Sequence, residues 1–181
     1  MSKQTRVQAF GTLLMTLTLI GCGYTATFDP QKVNAAQLFH SAQESASAGK
    51  WAEARTSLKQ IEQYFPGSKE FPKAKLLMAD SFFFEDNPSY PSIENAERDQ
   101  APTLKAIKSF ERLITETPGS VYISDARAKM NQCNRRLAEH ELVIGLLYLN
   151  TYHFSGAERR LKMMLEQYAD YADLERAYYY L

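Results

Sequence analysis

The sequence predicts an all-α protein, a solenoid of short antiparallel helix pairs. Apolar residues recur at helical spacing, and the same pattern returns at offsets of 52 and 51 residues. Pro-Gly turns follow the first two of these segments, and no stretch alternates cleanly between apolar and polar residues as a surface strand would. Because short amphipathic helices cannot bury their apolar faces alone, they must stack on their neighbours.

The composition is that of one ordinary globular domain. Of 181 residues, 45% are hydrophobic and 23% are charged, which excludes a disordered chain. The 21 basic and 21 acidic residues cancel, so the sequence indicates no basic surface for nucleic acid. Two cysteines are too few for a disulfide-stabilised miniprotein.

The N-terminus has the layout of a secretory signal peptide. Lys3 and Arg6 give it a basic start, and an apolar stretch follows at residues 10–20. At 1.5 Å per residue this stretch spans roughly 17 Å, against about 30 Å for the hydrocarbon core of a bilayer. It is too short to cross the membrane, so we predict that residues 1–21 are a signal peptide that is removed.

The signal ends in Leu19-Ile20-Gly21-Cys22, which resembles the lipobox of bacterial lipoproteins. The resemblance implies that Cys22 is lipidated and becomes the new N-terminus; an ordinary export signal with a chance cysteine is the alternative. Because Gly23 rather than an aspartate follows this cysteine, the resemblance favours the outer membrane. Residues 22–33 contain Gly, Thr, Asp and Pro with little periodicity, and we predict that they form the lipidated flexible tether.

Each repeated segment places an alanine and two larger apolar residues on one helical face, at positions i, i+4 and i+7. The three sets are Ala54, Leu58 and Ile61; Ala106, Phe110 and Leu113; and Ala157, Leu161 and Met164. The same offsets relate two further series, Ala74, Ala126 and Ala177, and Met78, Met130 and Leu181. We expect the three alanines of the first of these series to lie at close contacts between helices. The larger residues of the other series would then fill the remaining space.

The predicted helices cover residues 34–48, 51–64, 68–84, 103–116, 121–150, 154–168 and 171–181. Ser68 and Ser120 follow the Pro-Gly turns and are predicted N-caps. Residues 122–150 contain no proline and a single glycine, Gly145, so they form either one long helix or two nearly continuous ones.

The first segment resembles a tetratricopeptide repeat. It has Gly49-Lys50-Trp51, then Ala54 and Leu58, then Tyr64-Phe65-Pro66-Gly67-Ser68. The resemblance implies a tetratricopeptide-like α-solenoid over residues 34–181, with extra residues between the first and second turns at 85–102.

The lipobox ahead of this array, together with the second half of the chain, resembles the BamD-like family of outer-membrane assembly lipoproteins. The matching segments are Pro118-Gly119-Ser120-Val121-Tyr122, Asp125-Ala126-Arg127, Arg136-Leu137-Ala138-Glu139-His140-Glu141 and a junction at residues 148–152. The resemblance implies a lipid-anchored adaptor on the periplasmic face of the cell outer membrane, which helps the β-barrel assembly machine insert and fold outer membrane proteins. Compared with the family, we expect the chain to lack one repeat near residues 85–102 and to stop at Leu181 within a last repeat.

The implied partners are a BamA-like β-barrel scaffold, other assembly lipoproteins and unfolded outer membrane proteins, with no nucleic acid. The N-terminal repeats would receive extended segments of unfolded barrel, and the C-terminal repeats would bind the scaffold. Another repeat lipoprotein, such as a type IV pilus or secretin pilotin, is the main alternative, and a cell-wall hydrolase is a second one.

Aromatic residues supply the candidate client groove. Phe82, Phe83 and Phe84 are consecutive, so they point about 100° apart on a helix and cannot all face one core. Either two of them pack and one is partly exposed, or they form a recognition groove together with Tyr64 and the loop that starts at Glu85. The run at residues 178–180, three consecutive tyrosines, leaves the same two alternatives open.

Basic residues supply the candidate docking surface. Arg159 and Arg160 flank the apolar face of the third segment, and Arg136 lies in the long helix. They are either solvated helix residues or an ion-pairing surface for an acidic partner. The family resemblance places scaffold docking in this half, which makes Arg160 the first candidate. Reversing its charge is expected to weaken docking and to leave stability almost unchanged.

Catalytic signatures are absent from the sequence, so we predict that the protein is not an enzyme and uses no cofactor or metal. His140-Glu141 begins like a zinc-protease helix, but Ile144 stands where the second histidine is required. Cys133 lies in a predicted helix without a second cysteine nearby, which indicates a packed thiol rather than a nucleophile.

Overall fold

The computed structural model describes residues 29, 30, 32–85, 99–171 and 174–181, and its regular elements there are all α-helices. The helices are α1 (Ala35–Ser47), α2 (Trp51–Tyr64), α3 (Phe71–Glu85), α4 (Ala101–Glu116), α5 (Ile123–Asn150), α6 (Phe154–Gln167) and α7 (Leu174–Tyr180). The predicted signal peptide, Cys22 and most of the tether lie outside the described residues, as does most of the extra segment after Glu85. None of the described helices is long and apolar enough to cross a membrane.

The first hairpin begins and ends with local hydrogen bonds that its sequence supplies. Asn34 Oδ1 accepts the Gln37 N–H at 2.9 Å, and Gln37 Oε1 accepts the Asn34 N–H at 3.0 Å, which is a capping box. After α1 the chain reverses at Gly49, whose φ of +73° is a left-handed conformation that glycine adopts without a Cβ penalty. Helix α2 then begins at Trp51, as predicted.

Both predicted N-caps, Ser68 and Ser120, are wrong. Helix α3 begins at Phe71 instead of Ser68, because a further non-helical turn follows the Pro-Gly turn; the Ser68 Oγ is buried there without a hydrogen-bond partner. Ser120 likewise precedes α5 by three residues, although its Oγ accepts the Tyr122 N–H at 3.2 Å. In α4 the helix starts earlier than predicted, at Ala101, since a proline is tolerated in the first turn.

The repeated apolar positions form the core, as predicted. The alanine and both larger residues of all three segments, from Ala54 to Met164, are at most 1% exposed. Ala74, Ala126 and Ala177 are also fully buried, as expected for alanines at close helix contacts. Leu181 is 49% exposed, which contradicts its expected equivalence to Met78, because it follows the last turn of α7.

Each helix packs against the next one along the chain, from α1 against α2 to α6 against α7. The ion pairs show that neighbours are antiparallel: Lys75, near the start of α3, contacts Glu62 near the end of α2 and Glu116 at the end of α4. This sequential antiparallel stacking is a helical solenoid.

One long helix, α5, links two separate apolar cores. Its first half contributes Ala126 and Cys133 to a cluster with Phe110, and its second half contributes Leu142 to a cluster that contains Leu161. With 28 residues it spans about 42 Å. Gly145 allows the close approach of α6, since a Cβ there would lie 3.1 Å from Leu161 Cγ. Residues 123–150 thus form one long helix and not two nearly continuous ones.

Candidate partner-binding surfaces

Two of the three consecutive phenylalanines belong to the fold. Phe83 is 4% exposed, and its ring lies edge-on to Phe110 with centroids 6.2 Å apart. Phe82 is partly buried below the Arg55 guanidinium, whose Cζ lies 4.7 Å from its ring centroid. The packing alternative therefore applies to these two residues.

Phe84 is the accessible member of the trio. It is 40% exposed, and its ring lies at 20° to that of Trp51 with centroids 6.2 Å apart. We call this pair the aromatic surface. The sequence analysis did not identify Trp51 as a site residue. The signal was available, because an antiparallel pair in which α2 starts at residue 51 and α3 ends at residue 85 brings Trp51 and Phe84 side by side. Tyr64, which is 42% exposed, lies at the far end of α2, about 20 Å from Trp51, so it does not join this surface.

Two cationic side chains lie over the phenylalanine rings at the end of α3. The Arg136 Cζ lies 4.3 Å from the Phe83 ring centroid, and its Nη1 donates to the Phe83 carbonyl oxygen at 3.3 Å. Burial lowers the pKa of the Arg136 guanidinium, which shows that this charge is partly desolvated. Lys129 Nζ lies 5.8 Å from the Phe84 ring centroid. The exposed Phe84 ring therefore has the Lys129 ammonium group within cation–π distance.

Lys129 and Arg55 are both paired with carboxylates of the chain. Lys129 Nζ lies 2.7 Å from Asp80 and 3.0 Å from Asp125. Arg55 donates two hydrogen bonds to Glu85, at 2.7 and 3.0 Å. Such forked and shared pairs orient their helices. Arg136, by contrast, contacts an aromatic ring and a carbonyl oxygen, with Glu139 as an acidic neighbour.

The basic residues of the predicted docking surface differ in exposure and in their partners. Arg160 Nη1 lies 3.0 and 3.3 Å from the two carboxylate oxygens of Glu141, so it connects α6 to α5. The hydrogen bond to Glu141 raises the pKa of Arg160. Arg159 is exposed, and Lys162 pairs with Glu158 at 2.6 Å along α6. Of the three predicted docking arginines, Arg159 is exposed, whereas Arg160 and Arg136 are partly buried.

The turn between α5 and α6 carries a feature that the sequence analysis missed. Tyr152 has a φ of +60°, a left-handed conformation that is rare for a bulky residue. It occupies the C′ position of a Schellman motif, in which the His153 N–H donates to the Tyr148 carbonyl at 2.8 Å and the Tyr152 N–H to the Leu149 carbonyl at 3.0 Å. Gly49 ends α1 in the same way. The two repeat offsets, 52 and 51 residues, align Tyr152 with Gly49. This alignment of the sequence shows that a tyrosine occupies the position of the helix-ending glycine.

Cys133 lies in the interior of the fold, and His153 lies on its surface. Cys133 is fully buried, and burial raises the pKa of its thiol to about 11, which makes it a poor nucleophile at neutral pH. The Nδ1 of the exposed His153 lies 3.1 Å from Thr151 Oγ1. The part of the chain that the structure describes contains no group of three or more His, Cys, Asp or Glu residues suited to a metal ion.

Comparison with known proteins identifies similar sequences. The family model YfiO, described as outer membrane lipoprotein, matches residues 77–181. Outer membrane protein assembly factor BamD of Haemophilus influenzae is 25% identical over an alignment that covers 91% of this chain and 78% of the relative. The protein of the same name from Vibrio cholerae is 22% identical, with coverages of 91% and 85%. That of Caulobacter vibrioides is 26% identical, with coverages of 72% and 53%.

Proposed function

We propose that this chain, which belongs to the YfiO family of outer membrane lipoproteins, is an adaptor in the assembly of outer membrane proteins. The observation that carries the proposal is the family match over residues 77–181, which runs from α3 to α7 and so includes the long helix that joins both cores. A rigid solenoid with distinct exposed surfaces on its two halves suits a protein that holds two partners at once.

The adaptor is anchored to the periplasmic face of the outer membrane through lipid on Cys22. The basic start, the short apolar run and the Leu-Ile-Gly-Cys sequence support this anchor, and the family description names a lipoprotein. Several acyl chains give stable attachment, because each buried CH₂ contributes about 0.8 kcal/mol. Residues 22–33 then act as a tether between the lipid and α1.

The aromatic surface receives client segments. Trp51 and Phe84 offer two nearly parallel rings, and the partly desolvated Arg136 lies over the neighbouring Phe83 ring. Unfolded β-barrel proteins expose extended segments in which apolar and aromatic residues alternate, and such side chains bury much area against aromatic rings at low entropic cost. The cations nearby favour client segments with acidic groups or a terminal carboxylate.

The α5–α6 hairpin docks the scaffold of the β-barrel assembly machine. Arg159 is exposed, and the Arg160 side chain is 34% exposed while Glu141 fixes its orientation. A guanidinium that is already oriented loses less entropy when it binds a carboxylate of the partner. We therefore retain Arg160 and Arg159 as docking residues, with Arg136 assigned to the client side of the molecule.

Affinity purification of the lipidated protein from detergent-solubilised envelope tests this function. The expected result is recovery of the β-barrel scaffold protein together with other assembly lipoproteins. Recovery of a secretin in place of the scaffold would support the pilotin alternative and contradict the proposal. Depletion of the protein in cells should lower the amount of folded barrel proteins in the outer membrane, as measured by their heat-modifiable migration on gels.

A further inference from the structure

The last turn of α3, residues 82–85, has a sequence that does not favour the end of a helix. Three of its residues are phenylalanines, and aromatic side chains lose rotamer freedom in a helix. The turn contains no basic residue, and Glu85 adds a negative charge at the negative end of the helix dipole. Phe84 of the aromatic surface lies in this turn, so its position depends on the contacts that keep the turn helical.

Two arginines from other helices hold this turn. Arg55 of α2 places its Cζ 4.7 Å from the Phe82 ring centroid, and its Nη1 donates to the Ser81 carbonyl oxygen at 3.4 Å. Arg136 of α5 places its Cζ 4.3 Å from the Phe83 ring centroid and donates to the Phe83 carbonyl oxygen at 3.3 Å. This carbonyl is among the last four of α3, which have no partner within the helix itself. The arginines thus supply the positive charge and the donors that the end of α3 does not contain.

The acidic end of α3 is neutralised by the same Arg55 side chain. Its Nη2 and Nη1 donate to the two carboxylate oxygens of Glu85, at 2.7 and 3.0 Å. The Arg55 side chain is only 15% exposed, so this fork has little freedom to move. Trp51 precedes Arg55 by four residues and therefore lies on the same face of α2. Arg55 thus connects the part of α2 that carries Trp51 to the turn of α3 that carries Phe84.

The Phe84 ring is supported by the residues that these arginines hold. It lies edge-on to the Phe83 ring at 83°, with centroids 4.9 Å apart, and Phe83 is itself buried beneath Arg136. Its other recorded ring partner is Trp51. Unwinding of the last turn would move Phe84 away from both rings, because each contact depends on the helical position of its backbone.

We propose that Arg55 and Arg136 are positioning residues for client binding. They hold the last turn of α3 so that the exposed Phe84 ring stays nearly parallel to Trp51, and they do not contact the client themselves. This rests on the proposed function and assigns how its client surface is kept ready to bind. Rings that are already in place lose less entropy when a client side chain packs on them. Both guanidinium groups are engaged by groups of the chain, which favours positioning over direct ion pairing with the client.

Lysine substitutions separate positioning from attraction by charge alone. A lysine keeps the charge, but it cannot form the fork or lie flat on a ring while it donates to a carbonyl. Arg55→Lys and Arg136→Lys are made in the full chain carrying Cys22→Ala. Trp51 is the single tryptophan of the chain, so its fluorescence reports on the aromatic surface directly. We expect acrylamide to quench it about 1.5- to 2-fold more strongly in both variants, because local opening of the turn exposes the indole ring.

Client binding is measured by calorimetry with a synthetic, tryptophan-free peptide in which phenylalanine alternates with polar residues. Both lysine variants should raise the Kd about five- to tenfold, and Phe84→Ala should raise it at least as much. Adding Arg136→Lys to Phe84→Ala should cause no further loss, because the arginine acts through Phe84. Lys75→Met, near the start of α3, is the matched control: it removes a buried charge at the other end of the helix, and it should leave the Kd and the quenching unchanged.

Each other outcome counts against a defined statement. If the chain with both arginines binds the peptide and the lysine variants bind it equally well, positioning is overturned and the proposed function stands. Additive losses in the double variant would show that Arg136 contacts the client directly, which also overturns positioning. An equal rise in Kd for Lys75→Met would show an effect of general stability, with the same consequence. If the chain with both arginines does not bind the peptide, the client role of the aromatic surface is overturned together with the positioning role.

Discussion

Lys75 donates a hydrogen bond to Glu116, with 2.7 Å between Nζ and Oε2, although the lysine side chain is only 3% exposed. The same Nζ lies 3.3 Å from Glu62, and Arg112 lies within 3.7 Å of both glutamates. Three helices, α2, α3 and α4, therefore meet at one buried ammonium group. Because a buried charge must be paired, this lysine fixes how the first two helical segments stack.

Removing the charge of Lys75 should destabilise the protein. Lys75→Met keeps the approximate length of the side chain and leaves Arg112 as the cation that Glu62 and Glu116 still share. We expect the free energy of unfolding to fall by about 2–3 kcal/mol, below the roughly 3–5 kcal/mol typical of a fully buried pair, because Glu116 is 40% exposed. Chemical denaturation measures the change. Lys69→Met, at a lysine that is 89% exposed, is the matched control and should change stability by less than about 0.5 kcal/mol.

The network should make stability depend on acid pH. The hydrogen bond from Lys75, with a further contribution from Arg112, lowers the pKa of Glu116 below its ordinary value of about 4.3. A lowered folded-state pKa stabilises the protein above the unfolded-state pKa, and this contribution is lost as the pH falls through the folded-state value. Melting temperatures measured from pH 6 downward should therefore fall less steeply in Glu116→Gln than in wild type. An identical slope in both proteins, with exposed Glu111→Gln as reference, would contradict this role.

Enlarging a repeat alanine should cause overpacking. Ala126 is fully buried in the cluster that contains Phe110 and Cys133. We expect Ala126→Leu to lower stability by about 1–3 kcal/mol, since the added atoms force neighbouring side chains apart. Ala128→Leu, at an exposed position on the same helix, is the control and should be nearly neutral. Equal melting temperatures for the two variants would show that the repeat phase has been misassigned.

Reversing the charge of Arg160 should destabilise the hairpin as well as weaken docking. The sequence alone predicts nearly unchanged stability, but Arg160→Glu places a carboxylate beside Glu141, 3.0 Å from the original guanidinium. We expect a loss of about 1–2 kcal/mol, moderated by solvent because the arginine side chain is 34% exposed. Arg159→Glu should leave the melting temperature unchanged. Combining Arg160→Glu with Glu141→Arg should recover most of the lost stability; failure to do so would exclude this pair as the cause.

Removing Cys22, the residue that we propose is lipidated, should release the protein from the membrane. Cys22 lies in the Leu-Ile-Gly-Cys sequence and outside all the repeat positions, so Cys22→Ala should leave the helical domain folded and soluble in the periplasm. Fractionation after a high-salt wash measures the partition, and circular dichroism of the soluble fraction measures the helix content. Equal membrane retention of wild type and variant would refute the lipid anchor.

The repeat pattern alone predicts the helices and their buried faces. Ala54, Leu58 and Ile61 are typical: their spacing follows the turn of an α-helix, a local property that the backbone imposes on any sequence. The bounds of α2 agree with the prediction for the same reason. The predicted start of α3 is wrong because Ser68 forms part of a turn whose length depends on how α3 packs against α2.

Contacts between helices were decided by the tertiary structure. Lysine is usually exposed, and the burial of Lys75 required two glutamates from different helices to approach the same point. Arg160 was predicted to point toward a partner, yet Glu141, nineteen residues earlier, is close enough to pair with it. No sequence period encodes such approaches, since they depend on the angle and distance at which whole helices pack.

The sequence by itself thus determined the all-α class, the core positions and, through its N-terminal pattern, the predicted lipid anchor. The tertiary structure decided which polar and aromatic residues remain available to partners: it buried Phe83, exposed Phe84 beside Trp51, and held Tyr152 in a left-handed turn with its ring in solvent. The physical reason is that burial of an apolar face follows from local periodicity, whereas the exposure of a particular side chain depends on which distant residues are packed around it.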